Sequence, residues 1–273
     1  MTMGIVLHEF GGPDALRWES IELGNPGAGE VQIEHHAIGM NLMEVGLRVG
    51  GYPGPDLPFI PGVEAAGIVT HIGNGVSEFK VGDRVGYAGI PVGSYCEARN
   101  FPAERLIPLP DFIDDQTAAA CMVKGMTAEY MLRRSYDVKT GDKVLIHAAA
   151  GATGIMCVQL AKHLGAEVFG TVSSQEKADY VRAHGCDHPI IYTQTNFADD
   201  VLALTNGRGV DVVYDSIGAT TFEDSIRCLH YLGTMCLFGI ASGPPAPLEL
   251  MHLDLLTSQH FVRPSLYAHT RER

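Results

Sequence analysis

The sequence predicts an α/β protein in two parts, a glycine-punctuated β-rich segment followed by a parallel sheet with helices between its strands. Three observations carry this reading. Strand-like and helix-like stretches alternate from Thr117 to about Gly239, and the strand-like stretches there are almost wholly apolar, as strands buried on both faces must be. The segment before them is broken instead by Gly73, Gly75, Gly82 and Gly86, which mark tight turns. The boundary is placed near residue 124, giving parts 1–124 and 125–259.

In the first part, Val31 to Glu34 alternates apolar and polar, and Gly67 to Val69 and Arg84 to Tyr87 are strand-like, which together suggest a small irregular barrel. From Thr117, the run AAACMVKGMTAEYML is helical in character. The most informative stretch follows, Gly141 to Lys177, GDKVLIHAAAGATGIMCVQLAKHLGAEVFGTVSSQEK. Val144, Leu145 and Ile146 form a short buried strand, and Ala148 to Gly154 supply small residues in the spacing Ala148-x-x-Gly151-x-x-Gly154. Val158, Ala161 and Leu164 then repeat at helical spacing, Gly165 stops the helix, and Ala166 to Val172 is the next strand. Further strands are expected at His188–Tyr192, Val210–Asp215 and Thr234–Gly239, with Gly218 and Gly239 after two of them, at the carboxyl edge where ligands of open α/β sheets sit.

Strand, small-residue turn and helix in that order describe a dinucleotide-binding unit, because the free N–H groups of a helix N-terminus hold a pyrophosphate. Which dinucleotide is held depends on the end of the second strand, where an acidic side chain would bond a ribose 2′-hydroxyl and repel a 2′-phosphate. Thr171, Val172, Ser173 and Ser174 include no acid, and Lys177 adds a positive charge; Glu176 is expected to face solvent. The set predicts NADPH.

The chain of 273 residues is 46% hydrophobic, enough for a substantial core, and its formal charge of −13 argues against nucleic acid or an anionic membrane as partner. No run of eighteen apolar residues and no secretory leader are visible, so the cytoplasm is the expected location. Cys96, Cys121, Cys157, Cys186, Cys228 and Cys236 are widely spread without a C-x-x-C pair and are read as reduced, mostly buried thiols.

The segments HEFGGPDALRWE, NLMEVGLRVGGYP, PGVEAAGIVTHIGNGV, FKVGDRVGYAG, KGMTAEYML, VVYDSIG, FGIASG and RPSLYAHTRE, in this order, resemble the medium-chain dehydrogenase/reductase superfamily, and within it the zinc-free NADPH:quinone oxidoreductases, the zeta-crystallin-like group. The resemblance covers the whole chain and implies a GroES-like β-barrel domain followed by a Rossmann-type domain. Zinc-dependent relatives carry a cysteine where Asn41 stands and a histidine where Val63 stands, and four close cysteines where only Cys96 lies, so no metal is expected. The implied chemistry is hydride transfer from NADPH to a small electrophile, most simply a quinone, with Asn41 and Tyr52 as donors to the oxygen that gains charge.

Carried over from that family, Thr127 and Tyr130 should lie near the nicotinamide, and Gly151, Ala152, Thr153 and Gly154 against the pyrophosphate. Ser173, Ser174, Lys177 and Tyr192 should surround the 2′-phosphate, with Phe238 and Gly239 at the nicotinamide ribose. Where the family usually has Asp, Tyr and Ser in the acceptor segment, this chain has Glu44, Gly46 and Val49; where the family's turn reads Gly-Gly-Val-Gly it has Ala152 and Thr153 between its glycines, and Ile240 replaces a polar residue. Loss of the aromatic at Gly46 is expected to open the acceptor site, and the Ala152 methyl to crowd the phosphates. Family members continue past the position of Arg273 and return to the barrel, so residues 260–273 are expected to begin that return, leaving an incomplete first domain of lowered stability as a monomer. Two other functions stay open: reduction of an alkenal or enone, and a crystallin-like protein that binds NADPH without turnover. The resemblance further implies a homodimer joined near Thr234–Gly239; RNA binding gains no support from so acidic a chain.

Overall fold

A computed structural model describes residues 1–248 and 257–271. By internal contacts the chain divides into Met1–Val123 and Lys124–His269, with Thr270 and Arg271 grouped again with the first unit.

The first unit opens with an antiparallel pair, β1 (Thr2–Leu7) and β2 (Leu16–Ile21). It continues with β3 (Glu30–Ile38), the short helix α1 (Leu42–Arg48), β4 (Glu64–Ile72), β5 (Arg84–Ala88), β6 (Ala98–Pro102) and the two-residue β7 (Ile107–Pro108). Strands β6-β3-β4-β5-β7 form one antiparallel sheet in that order. Alternation explains its core: Val31, Ile33, Val69, Val85, Tyr87 and Phe101 point the same way and are fully buried together. A second cluster, Leu7, Leu47 and Phe59, packs α1 against the opening pair, with Tyr52 on its margin.

Helix α2 (Asp115–Tyr130) spans the division between the units and passes into a π-helical turn at Met131–Ser135. The second unit then alternates β8 (Lys143–Ile146), α3 (Ala152–His163), β9 (Glu167–Val172), α4 (Gln175–Ala183), β10 (His188–Ile191), α5 (Phe197–Leu204), β11 (Val210–Asp215), α6 (Phe222–Arg227) and β12 (Leu229–Leu237), and closes with β13 (His260–Val262) and the single turn α7 (Leu266–His269). All six strands are parallel in the order β10-β9-β8-β11-β12-β13, the doubly wound arrangement in which the strand order reverses between β8 and β11. Each face carries its own core, one with Val144, Ile146, Val158, Val168 and Tyr214, the other with Leu145, Phe169, Val201, Val213 and Met235.

Residues 260–269 are a correction. They do not begin a return to the first unit: His260, Phe261 and Val262 pair with Thr234, Met235 and Cys236 and add the sixth strand, and Phe261 joins the core beside Phe222 at 6.4 Å. A three-residue strand has too little pattern to be read from sequence. It also places β12 in the interior, one strand in from the edge. The return expected for residues 272 and 273, and the part of the domain boundary at residues 249–256, lie outside the described residues.

All six cysteines are free; five are buried and Cys121 is partly so. Burial pushes the Cys157, Cys186 and Cys228 thiols up to about 12, which leaves them protonated and unreactive at neutral pH. Among the described residues no helix is long and apolar enough to cross a membrane.

Candidate cofactor and acceptor sites

The phosphate turn follows β8 directly. Ala148 takes a left-handed conformation, φ 49°, and its carbonyl accepts from the Gly151 N–H at 2.8 Å, turning the chain into α3 with Gly151 as N-cap. The helix starts with no capping side chain and no acid in its first turn, so its free N–H groups face outward from an uncharged end. Gly154 explains the second glycine: a Cβ there would lie 2.2 Å from the Ala148 carbonyl oxygen and 2.9 Å from the Ala149 Cα. Gly151 is less crowded, with 3.1 Å to the same oxygen, and is exposed, as is Ala152. The first glycine leaves a cradle open to a ligand, and the second lets helix and turn pack.

A cavity of about 530 Å³ opens beside this turn, lined among others by Gly151, Ser173, Lys177 and Tyr192. Ser174 caps α4 by accepting from the Lys177 N–H at 3.3 Å, and that first turn brings the Lys177 ammonium to 3.2 Å from the Ser173 hydroxyl. Tyr192 is held at the cavity by its N–H to the Val172 carbonyl, 3.1 Å. No acid comes from the end of β9, and Glu176 is exposed. Cation, hydroxyls and a phenol on one wall, with open N–H groups on another, suit a dinucleotide carrying a 2′-phosphate.

Thr127 and Tyr130, one turn apart on α2, are buried, and the Tyr130 ring stacks on His269 at 4.5 Å between centroids. Phe238 packs on the same core cluster as Tyr130. The Phe238 and Gly239 N–H groups both donate to the Asp215 carbonyl, at 2.9 and 3.3 Å, and a Cβ on Gly239 would lie 2.7 Å from the Ser216 carbonyl oxygen. These four residues stand apart from the lining of the phosphate cavity.

Sequence reading missed the polar floor of that cavity. His147 is fully buried; its Nδ1 lies 3.0 Å from the Thr171 hydroxyl and its Nε2 2.9 Å from that of Ser225. Ser225 donates its one hydrogen to Asp215 at 3.3 Å, so Nε2–H donates to Ser225, and Nδ1 is left within reach of the Thr171 hydroxyl, which can donate to it. Burial lowers its pKa, with the Asp215 carboxylate pulling the other way. Asp215, buried as well, accepts from the Ile217 and Gly218 N–H groups at 2.7 and 3.1 Å and from the Thr221 hydroxyl at 2.8 Å. A polar residue directly after an all-apolar parallel strand was the available signal, at His147 after Val144-Leu145-Ile146 and at Asp215 after Val212-Val213-Tyr214.

In the first unit, Asn41 caps α1 and is gripped by carboxylates. Its Nδ2 donates to Glu64 Oε1 at 2.8 Å and to Glu44 Oε1 at 3.3 Å, and its N–H donates to Glu44 Oε2 at 2.6 Å. Glu64 Oε2 accepts from the Val123 N–H at 2.7 Å. Both carboxylates are buried; burial, with Glu64 nearby, raises the Glu44 pKa. The Asn41 amide hydrogens are thus engaged, and the donor role expected of this residue is already spent on Glu44 and Glu64. The Tyr52 hydroxyl makes no hydrogen bond among the described residues, and its ring is half-buried. Gly46 corrects another expectation. The space left by the missing aromatic is not open, because the Tyr52 ring fills it, with its Cδ2 at 1.9 Å from where a Gly46 Cβ would stand. Val63 is buried, and among the described residues no group of three His, Cys, Asp or Glu could hold a metal.

Comparison with known proteins matches residues 27–136 to the alcohol dehydrogenase GroES-like domain and residues 152–272 to the family model described as zinc-binding dehydrogenase. The chain is 44% identical over 280 residues to a 2-haloacrylate reductase of Burkholderia sp, covering 100% of this chain and 84% of that protein. It is 43% identical over 275 residues to a quinone oxidoreductase of Pseudomonas aeruginosa, covering 100% of this chain and 85% of that one. Among solved structures, an Escherichia coli quinone oxidoreductase complexed with NADPH matches with a TM-score of 0.94 at 39% identity, over 97% of this chain and 82% of that one. Identities of 40–43% to curated quinone oxidoreductases run over the whole chain, and both of its domain types are matched. The chain therefore belongs to the zinc-free quinone oxidoreductase group of the medium-chain dehydrogenase/reductase superfamily.

Proposed function

We propose that this oxidoreductase reduces a quinone with NADPH, without zinc or flavin. The observation that carries the cofactor choice is the wall made by Ser173, Lys177 and Tyr192 at the end of β9, where an NADH enzyme would present an acid. NADPH supplies the hydride. The chain's residues do the rest: Gly151 leaves room for the pyrophosphate at the α3 N-terminus, Gly154 lets α3 lie close beneath the turn, and Ser173, Ser174, Lys177 and Tyr192 take the 2′-phosphate. Thr127, Tyr130, Phe238 and Gly239 form the nicotinamide end. In the acceptor domain, which this reading ends near residue 124, the Tyr52 hydroxyl donates to the oxygen that gains negative charge. Asn41 holds the carboxylates that fix the start of α1 and acts by positioning. A homodimer in the cytoplasm belongs to the same reading on family resemblance alone, and a light-scattering mass of one chain would remove the dimer.

The test follows NADPH oxidation by absorbance with benzoquinone, with 2-chloroacrylate, with a 2-alkenal and with no acceptor, and NADH in parallel. Quinone-dependent oxidation is expected. Turnover of the alkenoate or alkenal alone would move the assignment to reduction of an activated double bond, a reading favoured by the 44% identity to a 2-haloacrylate reductase. Tight NADPH binding without turnover would mark a crystallin-like protein.

Lys177→Ala should raise the NADPH Kd about tenfold, most strongly at low salt since the ammonium is exposed, and leave NADH binding within about twofold. Equal weakening of both cofactors would mean that Lys177 does not read the 2′-phosphate.

A further inference from the structure

We propose that Gly46 is a specificity-determining position of the acceptor site, acting by seating the Tyr52 ring; this rests on the reading that places Tyr52 in that site. The two residues are joined twice. The Gly46 carbonyl accepts from the Gly51 N–H at 2.8 Å and from the Tyr52 N–H at 3.2 Å, which folds the chain back over the end of α1. The ring then lies on the Gly46 Cα, so close that a Cβ would stand 1.9, 2.3 and 3.1 Å from Cδ2, Cε2 and Cγ of Tyr52. No side chain other than hydrogen fits beneath the ring as it lies.

Gly46 sits inside a helix with no positive φ, so the backbone alone does not require glycine there. Helix propensity favours alanine at such a position. The glycine is explained by the ring above it. Helix α1 thereby fixes two residues of the acceptor domain at once, Asn41 by its capping contact with Glu44 at one end and Tyr52 by the bare Gly46 surface at the other. A half-buried aromatic ring held flat against a helix is a wall for a planar, conjugated acceptor; a short alkenoate has less face to lay on it.

The experiment is a cycle of Gly46→Ala, Tyr52→Ala and the double variant on the full chain. It reads KM and kcat for menadione and for 2-chloroacrylate, the NADPH Kd, and the Tm. Gly46→Ala is expected to raise the menadione KM about tenfold, with kcat and NADPH Kd within about twofold and a smaller effect on 2-chloroacrylate. In the Tyr52→Ala background the same substitution should change neither KM, and should raise the Tm, because alanine is then only the better helix former. Should Gly46→Ala alone fold poorly, recovery of its Tm in the double variant still reads the contact. An unaltered menadione KM in Gly46→Ala, when Tyr52→Ala alters it, would overturn the proposal. So would an undiminished effect in the double variant, or equal losses for both acceptors. Unchanged acceptor kinetics in Tyr52→Ala would instead show that Tyr52 lies outside the site, a failure of the underlying reading.

Discussion

Gly154→Ala should lower stability and cofactor affinity together. The added methyl would stand 2.2 Å from the Ala148 carbonyl oxygen, 2.9 Å from the Ala149 Cα and 3.0 Å from the Ala148 carbonyl carbon, all of them backbone atoms. None can swing aside. The Ala148 N–H is tied to the Thr171 hydroxyl at 3.3 Å, the Ala149 N–H to the Thr171 carbonyl at 3.1 Å, and the Ala148 carbonyl to the Gly151 N–H at 2.8 Å. Either α3 lifts off the turn or the turn distorts, at about 2–3 kcal/mol by analogy with overpacked cores. For a chain of this length that is a fall of roughly 4–12 °C in Tm. The same displacement moves the N–H groups of the α3 N-terminus, so the NADPH Kd should rise about tenfold to hundredfold.

Gly151→Ala separates the two effects. Gly151 is exposed and its added Cβ would meet only the Ala148 oxygen, at 3.1 Å, so the Tm should fall by no more than a few degrees for an alanine N-cap. Affinity should still suffer, because that methyl would stand in the cradle left for the pyrophosphate. Differential scanning calorimetry with and without NADPH reads both variants. A Gly154→Ala protein with parental Tm and affinity would mean that the closeness of α3 to the turn is not what the glycine provides.

What the sequence makes legible, and what it does not, divides along the range of the interactions. The parallel strands were readable because each is a run of apolar residues set off by glycines, and β11 was placed at Val210–Asp215, the range observed. The phosphate wall was readable because Ser173, Ser174 and Lys177 lie within one turn of a helix start, so their spacing alone converges them. His147 was not, since its meaning depends on Thr171 and Ser225, 24 and 78 residues away. Asn41 could be named but not its hydrogen-bond state, because Glu64 reaches it from another strand. Gly46 was misread for a related reason: its absent side chain suggested empty space, and the ring that fills it belongs to a loop whose path no local pattern dictates.

Acid should weaken both units of the protein well before the carboxylates as a class are protonated. In the first unit, the His35 Nδ1–H donates to the Cys96 carbonyl at 2.7 Å and Nε2 accepts from the Tyr87 hydroxyl at 2.9 Å, so the neutral ring satisfies both neighbours. Tyr87 in turn stacks on Phe101 at 4.1 Å, with the Arg99 guanidinium over both rings. Burial first, then the charges of Arg99 and His36, push the His35 pKa down to about 4, against the favourable Cys96 contact. In the second unit burial lowers that of His147. A histidine whose folded pKa is depressed is neutral in the native state while the unfolded chain takes up a proton, so its contribution is whole above about pH 6.5 and is lost as the pH falls toward the folded value. For His35 the loss between pH 7 and pH 5 is about 1–2 kcal/mol after allowance for its partial exposure. Glu44, with its raised pKa, works in the opposite direction and blunts the slope; Asp187 and Asp211, whose pKa values are lowered, extend the weakening below pH 4. Urea unfolding at pH 7 and pH 5, followed by circular dichroism, should show a lower midpoint at pH 5. His35→Gln keeps a donor for Cys96 and an acceptor for Tyr87 without a titrating ring, so it should flatten the pH dependence of the first unit while leaving that of the second, where His147 remains. An equal midpoint at the two pH values in the parent protein would mean that neither ring is held neutral by its surroundings.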